Sequence, residues 1–205
     1  MTAGVILAGG LARRMGGGDK CLCPLAGRTV LDHIIERLTP QVATLALNAN
    51  GDERRFSRWG IPVVPDTIPQ TPGPLAGIIA GMRWAMASNY SEIVTVPGDT
   101  PFIPLHLVFA LRRARLEMRS EIAIAKSGGS VRPVVGLWPV DIVEKLERAV
   151  LIENVRSVRD LILRHSVEVV DYSNSAFDPF MNINVPADLE SAEAIARRAG
   201  RVIAG

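Results

Sequence analysis

Residues 3–8 (AGVILA) form a short apolar run that ends at Gly9-Gly10, a pattern that predicts a buried strand entering a loop. Val30, Leu31, Ile34, Ile35 and Leu38 then recur at helical spacing, and Pro40 marks the stop. Residues 42–47 (VATLAL) predict a second strand that ends at Asn48-Ala49-Asn50-Gly51. Ile61-Pro62-Val63-Val64 predicts a short third strand ending at Pro65-Asp66. An uncharged loop rich in Pro and Thr covers 67–74. Pro74 suits the first position of a buried helix over 75–87 (LAGIIAGMRWAMA). Residues 92–96 (EIVTV) predict a fourth strand stopping at Pro97-Gly98-Asp99, and a helix is expected near 104–118.

Strands that alternate with helices imply an α/β protein: a mostly parallel sheet with helices on both faces, layered α/β/α. The rhythm changes after residue 118. Two strands, 121–125 and 131–138, are joined by Ser127-Gly128-Gly129-Ser130, so one strand should run antiparallel. Helices near 139–148 and 156–164 follow, then a strand at 167–171. A last helix spans 186–199, with Asp188 and Glu190 in the first turn, where the helix dipole favours acidic groups. No repeat, charge block or linker divides the chain, so residues 1–205 read as one domain.

Composition narrows the class. Lys and Arg number 23 against 21 Asp and Glu, a net charge of +2, which argues against a nucleic-acid coat or a polybasic membrane binder. Hydrophobic residues at 48% argue against disorder. Cys21 and Cys23 are too few for a disulfide scaffold and suit a reducing cytosol. Prolines at 69, 72 and 74 interrupt the longest uncharged stretch, and the first apolar run meets glycines and arginines rather than a cleavage site. A cytoplasmic protein without a membrane segment or signal peptide is therefore expected.

The loop after the first strand carries the chemistry. It reads Gly9-Gly10-Leu11-Ala12-Arg13-Arg14-Met15-Gly16-Gly17-Gly18-Asp19-Lys20. Glycines let backbone N–H groups approach a ligand, and the cations suit a polyphosphate. Neither G-x-G-x-x-G nor G-x-x-x-x-G-K-[ST] is present, so this is not a dinucleotide fingerprint or a Walker loop. The full pattern Leu7-Ala8-Gly9-Gly10-x-x-x-Arg14-Met15-Gly16-x-x-Asp19-Lys20 resembles the signature loop of nucleotidyltransferases with a Rossmann-like, GT-A-type fold. Its Gly-Gly form is similar to the molybdenum cofactor guanylyltransferases (the MobA family). Asn48, Asp66, Gly73-Pro74-Leu75-Ala76-Gly77, Asp99-Thr100-Pro101 and Asn182-Ile183-Asn184-Val185-Pro186 resemble that family's later landmarks.

The resemblance implies transfer of GMP from GTP to the terminal phosphate of molybdopterin, with release of pyrophosphate. It implies a nucleotide-binding part over 1–118 and an acceptor part over 119–205. A phosphate nucleophile is already ionised, so the chemistry asks for positioning and charge neutralisation rather than a general base. Lys20, Asp99 and Arg14 are the expected catalytic residues, with Mg²⁺ on Asp99. Leu7, Ala8, Gly9, Gly10, Lys20, Asn48, Asp66, Gly77 and Asp99 are expected to bind the nucleotide, Asp66 through the guanine edge or a ribose hydroxyl. Arg156, Asn182 and Asn184 are candidates for the acceptor, with Arg132 and Arg159 beside them. Transient contacts with molybdoenzymes or their chaperones are compatible with this activity; nucleic acid and membrane partners are not expected. Two other readings stay open: a cytidylyl- or sugar-phosphate nucleotidyltransferase with the same loop, and a non-catalytic nucleotide sensor.

Overall fold

A computed structural model of the chain describes residues 1–9, 18–68 and 73–203. The N-terminal apolar run forms β1 (Thr2–Leu7). A 3-10 turn, Lys20–Leu22, leads into a small hairpin, β2 (Pro24–Leu25) and β3 (Arg28–Thr29), and then into α1 (Val30–Leu38). β4 (Thr44–Asn48), β5 (Val63–Val64), α2 (Pro74–Ala87), β6 (Glu92–Pro97) and α3 (Leu107–Met118) complete the alternating half. β7 (Ile122–Ser127), β8 (Ser130–Pro139), α4 (Val143–Leu151), α5 (Val158–Ile162), β9 (Val167–Asp171) and α6 (Pro186–Ile203) follow.

Seven strands form one sheet in the order β5-β4-β1-β6-β8-β7-β9. Every pairing is parallel except those of β8, which runs antiparallel to both β6 and β7. The sheet is therefore the expected one, mostly parallel with a single reversed strand. Alternate residues of the central strands serve opposite faces. Ile6, Val94 and Val96 meet α1, α3 and α6 on one side. Val5, Ile93 and Trp138 meet α2, α4 and α5 on the other. Two glycines in α2 permit the second contact. A Cβ on Gly81 would stand 2.9 Å from both Val5 methyls, so the helix lies directly on β1. Among the described residues, no helix is long and apolar enough to cross a membrane.

Some elements depart from their sequence pattern for local reasons. The hairpin β2/β3 is too short to show periodicity; its turn places Ala26 and Gly27 at positive φ (49° and 80°), and only the glycine announces it. Residues Glu53–Trp59 form a 3-10 helix whose only apolar residues, Phe56 and Trp59, are three apart and face the core, and it starts because the Asp52 carboxylate accepts from the Arg54 amide. The helix expected from 104 begins at Leu107, since the Leu107 amide closes a turn on the Pro104 carbonyl. The helix expected over 156–164 is confined to Val158–Ile162, with Ser157 capping the Asp160 amide.

At the end of the sheet where β1 begins, Glu92 is only 6% exposed. Its Oε1 accepts from the Thr2 hydroxyl and from Arg112 Nε at 2.9 Å, and its Oε2 accepts from Arg115 Nη2 at 2.7 Å. Burial alone would push this carboxyl up, but the hydroxyl and the two guanidiniums hold it below the usual carboxylate range. A lowered folded pKa adds stability above the unfolded value and loses it as pH falls. Glu92→Gln is expected to cost about 2 kcal/mol, below the ~3–5 kcal/mol of a fully enclosed pair because Arg112 reaches solvent. Urea titrations should show that difference near neutral pH and show it shrinking below pH ~4.5, where the unfolded chain's carboxylate takes up a proton while the native one is still ionised.

Candidate active site

Strand register brings the site together. Leu7 of β1 lies beside Asn48 of β4 and Pro97 of β6, and Asn48 lies beside Val64 of β5. The residues that follow these strands therefore leave the sheet side by side, where open α/β sheets bind ligands. Between them is a cavity of about 450 Å³ lined by Leu7, Ala8, Gly9, Lys20, Asn48, Asn50, Asp66, Gly73, Pro74, Gly98, Asp99 and Asn182, among others. Gly10 and Arg14, expected to bind and to catalyse, lie outside the described residues, as does Arg13.

One wall is an amide–carboxylate cluster. Asn48 Nδ2 donates to the Val64 carbonyl at 3.0 Å and to Asp66 Oδ1 at 2.9 Å. Asn50 Nδ2 donates to Asp66 Oδ2 at 2.7 Å, and Asn50 Oδ1 accepts from the Asp66 amide at 2.9 Å. Both N–H groups of Asn48 are thus occupied, so Asn48 orients Asp66 instead of donating to a ligand. Each Asp66 oxygen keeps room for a second donor. The carboxylate therefore presents two aligned acceptors, suited to adjacent N–H groups of a base or to a ribose diol. Asn50 was not among the expected residues. Its two-residue spacing from Asn48 at a strand end was the available signal. Gly77, expected at the nucleotide, is buried and does not line the cavity. A Cβ there would lie 2.1 Å from Asn48 Oδ1, so its absence makes space for Asn48.

The other wall gathers charge. Lys20 Nζ donates to Asp99 Oδ2 at 3.4 Å and to Asn184 Oδ1. The segment carrying Asn184 is fastened there by the backbone: the Ile183 amide donates to the Asp99 carbonyl at 3.0 Å, and Ile183 is fully buried. Asp188, in the first turn of α6, accepts from the Asn184 and Val185 amides at 2.8 and 3.0 Å and fixes the entry to that helix. Asn182 and Asn184 flank Ile183, and both reach the site, as two-residue spacing on extended chain requires.

Asp99 has one unmet demand. Its Oδ1 is buried and has no hydrogen-bond partner among the described residues. Burial pushes the carboxyl up, while the Lys20 ammonium opposes that shift. A buried carboxylate oxygen left without a donor fits one ligand of a hard divalent cation. Among the described residues no cluster of three His, Cys, Asp or Glu could hold such an ion by itself, so most of its ligands would come from substrate phosphates and water. Cys21 also lines the cavity, where burial and the Asp19 carboxylate push its thiol up to about 12, so it stays protonated and inert.

A smaller cavity of about 200 Å³ adjoins the first and shares Pro97, Val134 and Asn182 with it. It is also lined by Arg132, whose Nη2 donates to Asp178 Oδ2 at 2.6 Å and whose Nε donates to the Ser127 hydroxyl at 3.1 Å. Arg156 and Arg159 are exposed and line neither cavity, so the structure does not bring them to the site. Trp138 is fully buried and donates to the Thr95 hydroxyl at 2.9 Å, which makes it core.

Gly77→Ala should displace Asn48 and with it Asp66. Nucleotide affinity is expected to weaken by about tenfold, the cost of losing one or two aligned hydrogen bonds. Calorimetric titration checks this, with circular dichroism showing that the fold is retained.

The chain matches the model of the MobA-like NTP transferase domain over residues 4–169. A protein of Rhodopseudomonas palustris named molybdenum cofactor guanylyltransferase is 46% identical over 98% of this chain and 96% of its own length. A protein of the same name from Mesorhizobium japonicum is 47% identical over 93% of each. In the fold, the crystal structure of molybdopterin-guanine dinucleotide biosynthesis protein A from Archaeoglobus fulgidus superposes with a TM-score of 0.79, at 23% identity, covering 97% of this chain and all of that one. A CMP:2-keto-3-deoxy-manno-octonic acid synthetase solved with CTP superposes with a TM-score of 0.74 at 12% identity, covering 97% of this chain and 99% of that one. With the domain model spanning most of its length and near-full-length relatives well above 40% identity, the chain belongs to the MobA-like nucleotidyltransferase family.

Proposed function

We propose that this protein is a molybdenum cofactor guanylyltransferase. It transfers GMP from GTP to the terminal phosphate of molybdopterin and releases pyrophosphate, with Mg²⁺ as the cation. The observation that carries the reading is the buried, unpartnered Oδ1 of Asp99 beside the Lys20 ammonium, in the same cavity as the doubly anchored Asp66 carboxylate. The names borne by full-length relatives select guanine and molybdopterin among the substrates that this fold serves.

Asp66 accepts from the N–H groups of the guanine edge or from the ribose hydroxyls. The Asn48 and Asn50 amides keep it oriented in the absence of ligand, so little ordering remains to be done on binding. Gly9 lines the cavity beside Lys20 and is placed for the phosphates. Lys20 turns its charge toward the leaving pyrophosphate, and the Asn184 amide oxygen supports its side chain. Asp99 would hold the cation through Oδ1, and the bound ion would neutralise charge developing at the α-phosphate. No described side chain is needed as a base, because the attacking phosphate oxygen is anionic near neutral pH. Asn182 and Arg132 line the adjoining cavity and are placed for the acceptor's phosphorylated side chain, Arg132 being held ready by Asp178. The protein acts in the cytoplasm, where its free thiols Cys21 and Cys23 stay reduced.

Purified protein offered GTP, CTP or ATP with molybdopterin and Mg²⁺ should release pyrophosphate with GTP alone; turnover with CTP in place of GTP would overturn the guanylyl assignment. Asp99→Asn should fold normally and lose at least ~100-fold in kcat, the scale of one lost electrostatic stabiliser. Lys20→Ala should weaken GTP binding and slow transfer together, both read from steady-state pyrophosphate release.

A further inference from the structure

Asp19 immediately precedes Lys20 and opens the 3-10 turn Lys20–Leu22, yet its carboxylate makes no cap hydrogen bond to that turn. An aspartate at such a position ordinarily satisfies its own turn. Here the carboxylate is given to a residue distant in sequence: Arg55 Nε donates to Asp19 Oδ2 at 2.6 Å. The same guanidinium holds two backbone carbonyls. Arg55 Nη2 donates to the Asn50 carbonyl at 2.7 Å, and Nη1 donates to the Asp52 carbonyl. Its carbon lies 4.5 Å from the centre of the Phe56 ring, and Phe56 is a core residue. All three donor nitrogens of the fork are engaged, and the pair is largely enclosed, with Asp19 10% and Arg55 26% exposed.

Asn50 is also the residue whose side chain grips Asp66. An unbroken path therefore runs from Lys20 through Asp19, Arg55 and Asn50 to Asp66. Arg55 itself does not line the cavity. We infer that Arg55 is a positioning residue that fixes the phosphate-facing Lys20 relative to the base-facing Asp66, so that the two ends of a nucleoside triphosphate are gripped in register. The inference rests on the nucleotidyltransferase reading and adds to it a residue that touches no substrate.

Two features favour this role over simple anchoring of the loop at 51–59. That loop already has its own stop and start, Asp52 on the Arg54 amide and Gly60 closing on the Ser57 carbonyl. The bond to Asp19 adds nothing to those, since it leaves the loop and reaches the signature segment. Asp19, for its part, forgoes a local cap to make it. A guanidinium is also the only side chain that reaches a carboxylate and two carbonyls from one rigid plane.

The test compares equilibrium binding of GTP with guanosine, and of CTP with cytidine, for the wild type, Arg55→Met, Arg55→Lys, Asp19→Asn and the double variant Asp19→Asn/Arg55→Met. In Arg55→Met the affinity for GTP should weaken about tenfold or more, while that for guanosine changes less than about threefold, because only the phosphate grip loses its register. Transfer should fall in kcat/KM for GTP, with KM for molybdopterin unchanged. Arg55→Lys should restore the guanosine value fully and the GTP value in part. The double variant should fall no further than the worse single one, as members of one linkage do. Equal losses for GTP and guanosine, or wild-type turnover in a folded Arg55→Met protein, would overturn the inference. A wild type that binds and turns over CTP alone would remove the guanylyl reading, and the CTP to cytidine ratio would still decide the role of Arg55.

Discussion

The parallel register of β1 between β4 and β6 is the constraint on which the site depends. It aligns Leu7, Asn48 and Pro97 on one edge, so three loops leave the sheet together. The Ala8 amide then donates to the Asn48 carbonyl at 2.8 Å, and the Gly98 amide to the Leu7 carbonyl at 2.9 Å, which carries the pairing one residue past the strands. A one-residue slip in any of these pairs would turn Asn48 into the core and separate it from Asp66. The register is enforced by close packing. Gly81 lets α2 rest on Val5 from one side, while Ile6 is locked beneath α1 and α3 on the other.

The site is divided by chemistry between two kinds of group. On one wall, amides surround a carboxylate and hold it oriented. On the other, a lysine, a buried aspartate and an asparagine balance one another at the place where phosphate charge would enter. The Lys20–Asp99 contact, at 3.4 Å, is longer than a well-formed charge-assisted bond. Lys20 is thus held only loosely by Asp99 while Asn184 supports it, and Asp99 keeps one oxygen without a donor among the described residues. The weak net charge of the chain conceals this separation, because opposite charges are grouped within a few residues of one another in space rather than in sequence.

Most of the architecture was legible because the strands are short apolar runs closed by Gly, Pro, Asn or Asp, and the helices between them carry apolar periodicity. The reversal of β8 was legible in the Gly128-Gly129 turn. What stayed hidden depends on single tertiary contacts. Arg55 sits in a polar stretch where neither spacing nor composition separates a functional side chain from a solvated one, Asn50 has only its spacing from Asn48 to mark it, and the meaning of both appears when Asp19 and Asp66 are seen beside them. Gly77 was legible as important, and the structure adds a reason: it makes room for Asn48. Arg156 shared the candidate list with Asn182 and Asn184 because an arginine suits a phosphate, but the first turn of α5 packs its apolar face on the sheet and leaves that arginine in solvent.

The Ile183 amide closes on the Asp99 carbonyl, and Asn184 completes the surroundings of Lys20. The earliest strand of the chain therefore waits for one of its last segments before the charged wall exists. The charged wall thus joins residues far apart in sequence, and a chain cut before residue 182 would keep the strands of the sheet while lacking the groups that complete this wall.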